Sequence, residues 1–287
     1  MLPIGLFQQL IVSLDYKGRV LTLAKPGQVR PVGEAVPCVV NDRTGLIAVE
    51  AAVDGTSVPL VLDAGSGYSW MRGDVVAAWL RGHPDWARVH GAVGPANANM
   101  LDYAFEKNGE VIRLPLLTLA NLRIENVGMM GTGPILGDTL DGAFGNFFWD
   151  NWQKSAPFPI VGWLGTNVLK NYKLTIDYPN RTTYWLKQSD TNVHELDQVG
   201  VTLVRRGDRY LIGGLVSRAG AIGADAEQAR QIEVGDELVA VDAFTVTGAP
   251  RDAVLTALHG TPGEPRTLVV LHAGARRSAA LQVTEFD

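Results

Sequence analysis

Hydrophobic and polar residues alternate between positions 47 and 53, where Ile, Val, Ala and Val are separated by smaller or polar side chains. This alternation predicts a strand with one buried face. The Asp54-Gly55 pair that follows is typical of a tight hairpin turn. An apolar return strand then leads into a glycine-rich loop within 57–67, and apolar residues at helical spacing over 74–81 predict a short helix after it.

The last third of the chain carries a second β-rich pattern. Polar residues over 188–197 predict a linker. A helix is predicted over 251–259, between Pro250 and Gly260, which are typical start and stop signals. Short strands are predicted at 201–204, 210–216, 237–241, 267–272 and 279–284. The expected segments are a hairpin within 1–30, a larger lobe over 31–190 and a smaller domain over 191–287.

An internal repeat relates the start of the chain to its middle. Residues 6–23 resemble residues 168–185 when Asp15 is aligned with Asp177, a shift of 162 positions. Each copy reads as a strand, an Asp-Tyr turn and a second strand. Because the later copy follows a whole lobe, the first copy is interpreted as the tail of a preceding unit. The alternative is that two similar hairpins arose independently.

Composition narrows the possible functions. Of 287 residues, 46% are apolar and 19% are charged, and the net charge of −5 comes without a basic stripe, so we expect no nucleic-acid partner. The 32 glycines favour many tight turns and hence a mainly β fold. One cysteine, Cys38, excludes a disulfide within the chain and a cysteine-based zinc site. We expect no membrane-spanning segment, since no apolar run approaches the length of about 18 residues that one needs, and residues 1–19 do not read as a secretion signal.

The strongest chemical signal is the loop Asp63-Ala64-Gly65-Ser66, which follows the apolar residues Val61-Leu62. A strand delivers a carboxylate into a turn where glycine lets backbone amides approach it closely. Amide hydrogen bonds favour the ionised carboxylate and hold it in place, and the Ser66 hydroxyl is a further candidate contact. The alternative is a structural Asp-Gly loop without chemistry.

This loop resembles the active-site loop of retropepsin-like aspartic proteases. The resemblance extends over about 36–187, because Trp163-Leu164-Gly165, followed by Thr-Asn-Val-Leu, is similar to the family's second motif, in which two apolar residues precede a glycine. It implies a lobe built on a closed β-barrel of the acid-protease type. The separation of about a hundred residues between the two motifs is longer than in the compact retroviral members.

The resemblance implies hydrolysis of a peptide or protein substrate by two aspartates, without a metal or another cofactor. Two close carboxylates share one proton across a bound water, since both cannot ionise easily. The chain has one such loop, so the partner of Asp63 is expected from a homodimer or from an upstream lobe, of which the hairpin within 1–30 would be the tail. Ala64 departs from the family, which often has Thr there to form a hydrogen bond between the two loops.

The smaller domain resembles bacterial, protease-associated PDZ domains through the run from Val234 to Asp242, which begins Val-Gly-Asp-Glu-Leu. Such domains bind a peptide by strand addition, while loop amides hold its terminal carboxylate. The resemblance assigns the loop to Val199, Gly200 and Val201 and the groove to Leu255 and Leu258. Ala243 stands where the family usually has Gly. The alternative is a small β-domain that only packs on the protease lobe.

Other classes fit less well. A serine protease would need Ser66 with a histidine and an aspartate, but all five histidines follow Ser66 and none lies in a recognisable catalytic context. A non-catalytic peptide-binding protein built from the same two domains is the main alternative. Residues 97–108 are a candidate substrate flap. A periplasmic or secreted location is expected only from the family resemblance.

Overall fold

The computed structural model describes residues 7–132, 147–154, 156–218 and 232–286. The fold is mainly β, with 45% strand and 15% helix, a closed six-stranded barrel and a second sheet. The predicted fold class is therefore confirmed. The chain divides into two compact units: Met1–Val75 with Leu114–Met129 and Ala143–Thr191, and Val76–Arg113 with Met130–Gly142 and Asn192–Asp287. The domain limits expected from the sequence remain predictions.

The described strands and helices have the following limits. The strands are β1 Ile11–Asp15, β2 Val20–Ala24, β3 Glu34–Val40, β4 Ile47–Val53, β5 Thr56–Leu62, β6 Trp70–Arg72, β7 Arg88–His90, β8 Glu110–Leu119, β9 Leu122–Thr132, β10 Gly162–Leu164, β11 Tyr172–Asp177, β12 Thr182–Lys187, β13 Val201–Arg206, β14 Arg209–Leu215, β15 Ser217–Arg218, β16 Glu237–Val241, β17 Phe244–Thr245, β18 Pro265–His272 and β19 Ala275–Gln282. The α-helices are α1 Gly73–Gly82, α2 Ala104–Asn108, α3 Phe147–Gln153, α4 Thr166–Leu169 and α5 Arg251–Leu258, and a 3-10 turn covers Gly94–Ala96.

The barrel of the first unit closes through the strand order β4, β5, β10, β6, β9 and β8. The pairing of Ala51 with Leu119 joins β4 to β8 and completes the ring. Asp54 and Gly55 form the predicted hairpin turn between β4 and β5, and both have positive φ, 48° and 72°. A two-residue turn of this kind matches the right-handed twist of the strands that it joins.

The hairpin of β1 and β2 pairs with the hairpin of β11 and β12 through their edge-to-edge strands β1 and β11. Ile11 pairs with Ala24 in the first hairpin, and the residues 162 positions later, Lys173 and Leu186, pair with each other in the second. β1 and β11 pair antiparallel, and Ser13 lies opposite Thr175. The two hairpins are therefore related by a local two-fold axis that passes between Ser13 and Thr175.

The second unit contains a sheet of order β13, β14, β16, β18 and β19, with β17 paired to β16. The predicted helix of this region forms as α5, Arg251–Leu258. Its buried residues Val254, Leu255 and Leu258 face the sheet and form one core with side chains of β13, β14, β16, β18 and β19. Met100, from a different part of the chain, belongs to the same core and is 1% exposed.

Candidate active site and peptide groove

Asp63 lies directly after β5, where β5 runs parallel to β10. Its backbone N–H donates to the carbonyl of Leu164 at 3.0 Å, which ties the two sequence motifs together. The amide of Gly65 donates to Asp63 Oδ1 at 2.9 Å, as expected for a turn that holds a carboxylate. Asp63 is half-buried, whereas Ala64 and Gly65 are exposed. The carboxylate is thus held from the loop side while the loop tip faces solvent.

A network of buried hydrogen bonds joins the chain that follows this loop to the second sequence motif. The Ser69 hydroxyl donates to Asn167 Oδ1 at 2.8 Å and accepts from the amide of Gly165 at 3.0 Å. Asn167 Nδ2 donates in turn to the carbonyl of Gly128 at 2.8 Å. Asn167 lies in the motif that the sequence analysis quoted, but Ser69 was not singled out. Its polar side chain next to an aromatic-rich strand start was the only local signal.

Gly165 is required by close approach between backbones. It precedes α4 with φ −94°, a conformation open to any residue. A Cβ atom at this position would collide with the carbonyl of Tyr68. The glycine therefore lets the chain after β10 pass directly against the strand that follows the Asp63 loop, which explains why the motif ends in glycine.

Ser66 is held by an aromatic cluster. Its hydroxyl donates to the carbonyl of Tyr68 at 2.7 Å and accepts from Trp163 Nε1 at 3.0 Å. The Trp163 ring stacks on Trp70 with centroids 5.1 Å apart, and Trp149 lies 5.3 Å from it. These contacts make Ser66 a residue that positions the loop, and they engage its hydroxyl in two hydrogen bonds. The contact between the Ser66 hydroxyl and the Asp63 carboxylate that we expected from the sequence is not one of these two hydrogen bonds.

Tyr16, which the sequence did not assign to the site, interacts electrostatically with Asp63. Burial raises the pKa of Tyr16, and the negative charge of Asp63 adds to the rise. The Tyr16 hydroxyl oxygen is buried and has no hydrogen-bond partner within the described residues. The repeat aligns Tyr16 with Tyr178, and this equivalence was the one signal in the sequence that connected it to the lobe.

The five residues assigned to the peptide groove lie together in the second unit. The amide of Val199 donates to the carbonyl of Leu258 at 3.2 Å, and the amide of Val201 donates to the carbonyl of Val199 at 2.7 Å. Leu255 and Leu258 are 8% and 1% exposed, and they share a core with both valines. A Cβ on Gly200 would press against the Phe286 ring at 3.2 Å. Peptide binding by these residues remains a prediction.

Two buried polar side chains, one carboxylate and one amide, lie immediately before this loop. Asp197 is 1% exposed, and its Oδ2 is 2.9 Å from His194 Nδ1. Gln198 is also buried and donates through Nε2 to the carbonyl of Leu255 at 3.2 Å. The residues directly before Val199 are therefore buried and hydrogen-bonded, one to a histidine side chain and the other to the backbone of α5.

Within the described stretches of the chain, no group of three or more His, Cys, Asp or Glu side chains could hold a metal ion. No helix in those stretches is both long and apolar enough to cross a membrane.

Solved structures that are similar to the chain include the following two. One is the PDZ domain of a carboxy-terminal protease from Vibrio cholerae in complex with peptide, which is 24% identical, covers 30% of this chain and 90% of its own, and has a TM-score of 0.25. The other is a retropepsin-like aspartic protease from Rickettsia conorii, which is 13% identical, covers 55% of this chain and 98% of its own, and has a TM-score of 0.31. No family model matches the chain, and no curated protein matches it.

Proposed function

We propose that this protein hydrolyses peptide bonds by an aspartic-protease mechanism in which Asp63 supplies one of two carboxylates. The proposal rests on the two hydrogen bonds that hold Asp63 in place. Its carboxylate accepts from the Gly65 amide at 2.9 Å, and its own amide donates to Leu164 at 3.0 Å. These hydrogen bonds fix the orientation of a half-buried carboxylate, as general acid–base chemistry requires.

In this mechanism the two carboxylates share one proton and hold a water between them. The ionised carboxylate removes a proton from the water as the water oxygen attacks the carbonyl carbon of the scissile peptide. The protonated carboxyl donates its proton to the carbonyl oxygen, which gives a neutral tetrahedral diol. Collapse of the diol breaks the C–N bond and transfers a proton to the leaving amine. The pair titrates as one unit.

The local two-fold axis between Ser13 and Thr175 favours an upstream lobe as the source of the second carboxylate. On one side of the axis β12 pairs with β3, and on the other side β2 occupies the position equivalent to β12. β2 carries the exposed apolar residues Val20 and Leu21, which are 53% and 56% exposed. A counterpart of β3 from a second lobe would pair there. A homodimer partner is the other source.

The same proposal assigns peptide binding to the second unit, through Val199, Gly200, Val201, Leu255 and Leu258. A non-catalytic peptide-binding protein is the second candidate function. It is favoured by Ala64, whose exposed methyl group cannot form the hydrogen bond between loops that the family's Thr supplies. Hydrolysis and binding differ in one readout, the appearance of new amino termini in an unfolded protein substrate.

The experiment that tests this function is the pH dependence of kcat/KM for cleavage of an unfolded protein, from about pH 3 to about pH 9. A carboxylate pair that shares a proton predicts a bell-shaped profile, because one group must be ionised and the other protonated. A kcat/KM that rises with pH to a plateau above about pH 8 would indicate a different base and would contradict the proposal.

A further inference from the structure

β13 is an edge strand of the second unit's sheet, and its outward amides are already in use. The amide of Leu203 donates to Asn97 Oδ1 at 2.7 Å. Two residues later, the amide of Arg205 donates to the carbonyl of Met100 at 2.8 Å. Alternate amides of an edge strand are the groups that pair with an added peptide. Here the chain's own segment 92–102 occupies that edge.

The Met100 side chain fills the space beneath this edge. It is 1% exposed and lies in one core with Val201 and Leu203 of β13 and with Leu255 and Leu258 of α5. Leu255 and Leu258 are the residues that the sequence analysis assigned to the peptide groove. An unbranched, flexible thioether adapts well to such an irregular gap. Met100 thus serves as the apolar anchor of the segment.

Contacts from both walls of the groove hold the backbone of the segment. From the helix side, Arg251 Nη2 donates to the carbonyls of Asn97 at 3.3 Å and Pro95 at 3.5 Å. From the strand side, the Thr202 hydroxyl donates to the carbonyl of Ala92 at 2.7 Å. The segment runs in the same direction as β13, since Asn97 bonds Leu203 and Met100 bonds Arg205 further along.

Two features oppose permanent burial of the segment, one in its own backbone and one at Glu106, which bonds to it. Met100 has φ 53°, in the left-handed region that is unfavourable for a residue with a side chain. Glu106 accepts hydrogen bonds from the amides of Asn99 at 2.8 Å and Met100 at 3.0 Å. Burial raises the pKa of this carboxyl group. The desolvation of this carboxyl group is therefore an unfavourable contribution to the closed arrangement.

We propose that residues 92–102 are a displaceable internal ligand of the groove between β13 and α5. A peptide that pairs with β13 must compete with them. Its recognition elements follow from the contacts: one acceptor for the Leu203 amide, one carbonyl for the Arg205 amide, and an unbranched apolar side chain in place of Met100. The inference refines the peptide-binding part of the proposed function and does not depend on hydrolysis.

Hydrogen exchange tests this proposal without a substrate or a known ligand. The quantity is the exchange rate of the Leu203 and Arg205 amides relative to those of Leu238 and Val270 in the paired strands β16 and β18. A displaceable segment opens locally, so in the wild-type protein the first pair should exchange at least about ten-fold faster than the second. Equal opening free energies for all four amides would show that residues 92–102 are a fixed part of the core, and this result would overturn the proposal.

A matched pair of variants sharpens this test. Arg251→Ala removes the contacts to Asn97 and Pro95. The ratio of the Leu203 and Arg205 exchange rates to the rates of the two reference amides should therefore rise by about a further ten-fold over the wild-type ratio. Arg266→Ala is the control, because this guanidinium also bonds backbone carbonyls, at Ala257 and His259, but does not touch the segment. The same rise in the control, or none with Arg251→Ala, would argue against the segment as an internal ligand. If a variant fails to fold, the wild-type ratio still decides.

Discussion

The hydroxyl oxygens of Ser13 and Thr175 lie 3.0 Å apart, and the two residues are 162 positions apart in the chain. The separation equals the shift of the internal repeat, so at this one pair equivalent residues of the two hairpins face each other. This hydrogen bond therefore marks the local two-fold axis. A second lobe related to the Asp63 lobe would lie across that axis, next to β2.

The Ser13–Thr175 pair predicts a non-additive effect on stability. Both side chains are buried, at 4% and 3% exposure. Ser13→Ala or Thr175→Val alone should lower the free energy of unfolding by about 1–3 kcal/mol, because each leaves a buried hydroxyl without this partner. The double variant should lose clearly less than the sum of the two. Urea unfolding measures all three, and simple additivity would exclude the coupling.

Gly165 predicts a steric effect on the candidate site. Gly165→Ala places a methyl group against the Tyr68 carbonyl, so one backbone must move. We expect a loss of about 1–3 kcal/mol in unfolding free energy. The matched control is Gly82→Ala at the end of α1, where an added Cβ meets nothing within 4 Å. Thermal or urea unfolding should separate the two variants; similar values would contradict the close approach seen at Gly165.

Tyr16 should report the charge of Asp63. Since the negative charge of Asp63 raises the pKa of Tyr16, Asp63→Asn should lower that pKa. Ultraviolet titration of phenolate absorbance, with Tyr16→Phe to identify the band, measures the change. Tyr178 serves as the internal control, because burial raises its pKa to about 12 and its second contribution comes from Cys38. A Tyr16 titration that is identical in Asp63→Asn would show that the two groups do not interact.

Cys38 should be unreactive in the folded protein. Burial raises its pKa to about 11, so the thiolate that reacts is scarce at neutral pH. The stability contributed by the protonated thiol is complete below the ordinary cysteine pKa of about 8.5. This contribution is lost as the pH rises through the pKa that Cys38 has in the folded protein. Modification by an aromatic disulfide reagent at about pH 8 should be slow when folded and fast in urea; equal rates would contradict the burial of Cys38.

Local signals were enough to predict the parts of the site that depend on adjacent residues. Alternation plus Asp54-Gly55 predicted the β4–β5 hairpin, because the turn needs positive φ at both positions. The apolar run before Asp63 and the glycine after it predicted the loop that holds the carboxylate. Pro250 and Gly260 bracket α5 as expected. Each of these features is determined within about ten residues of chain.

Contacts between distant residues could not be predicted in the same way. Ser69 and Asn167 are 98 positions apart, and their hydrogen bond leaves no pattern in either neighbourhood. Asn97 accepts from the amide of Leu203 in β13, 106 positions later, and a substrate flap over 97–108 stays a prediction. Nothing in the neighbourhood of Met100 in the sequence indicates that its side chain shares a core with Leu255 and Leu258. Such pairings follow from the folded topology and not from periodicity.

The role of Asp63 in hydrolysis is tested by comparing the wild-type protein with Asp63→Asn in the cleavage of an unfolded protein. Asp190→Asn is the control, because Asp190 is 88% exposed and pairs only with Lys187 among its charged partners in the described residues. New amino termini are counted at acidic and at neutral pH. We expect Asp63→Asn to lower cleavage by at least about a hundred-fold and Asp190→Asn to leave it unchanged. Equal cleavage by the wild type and Asp63→Asn would contradict this role of Asp63.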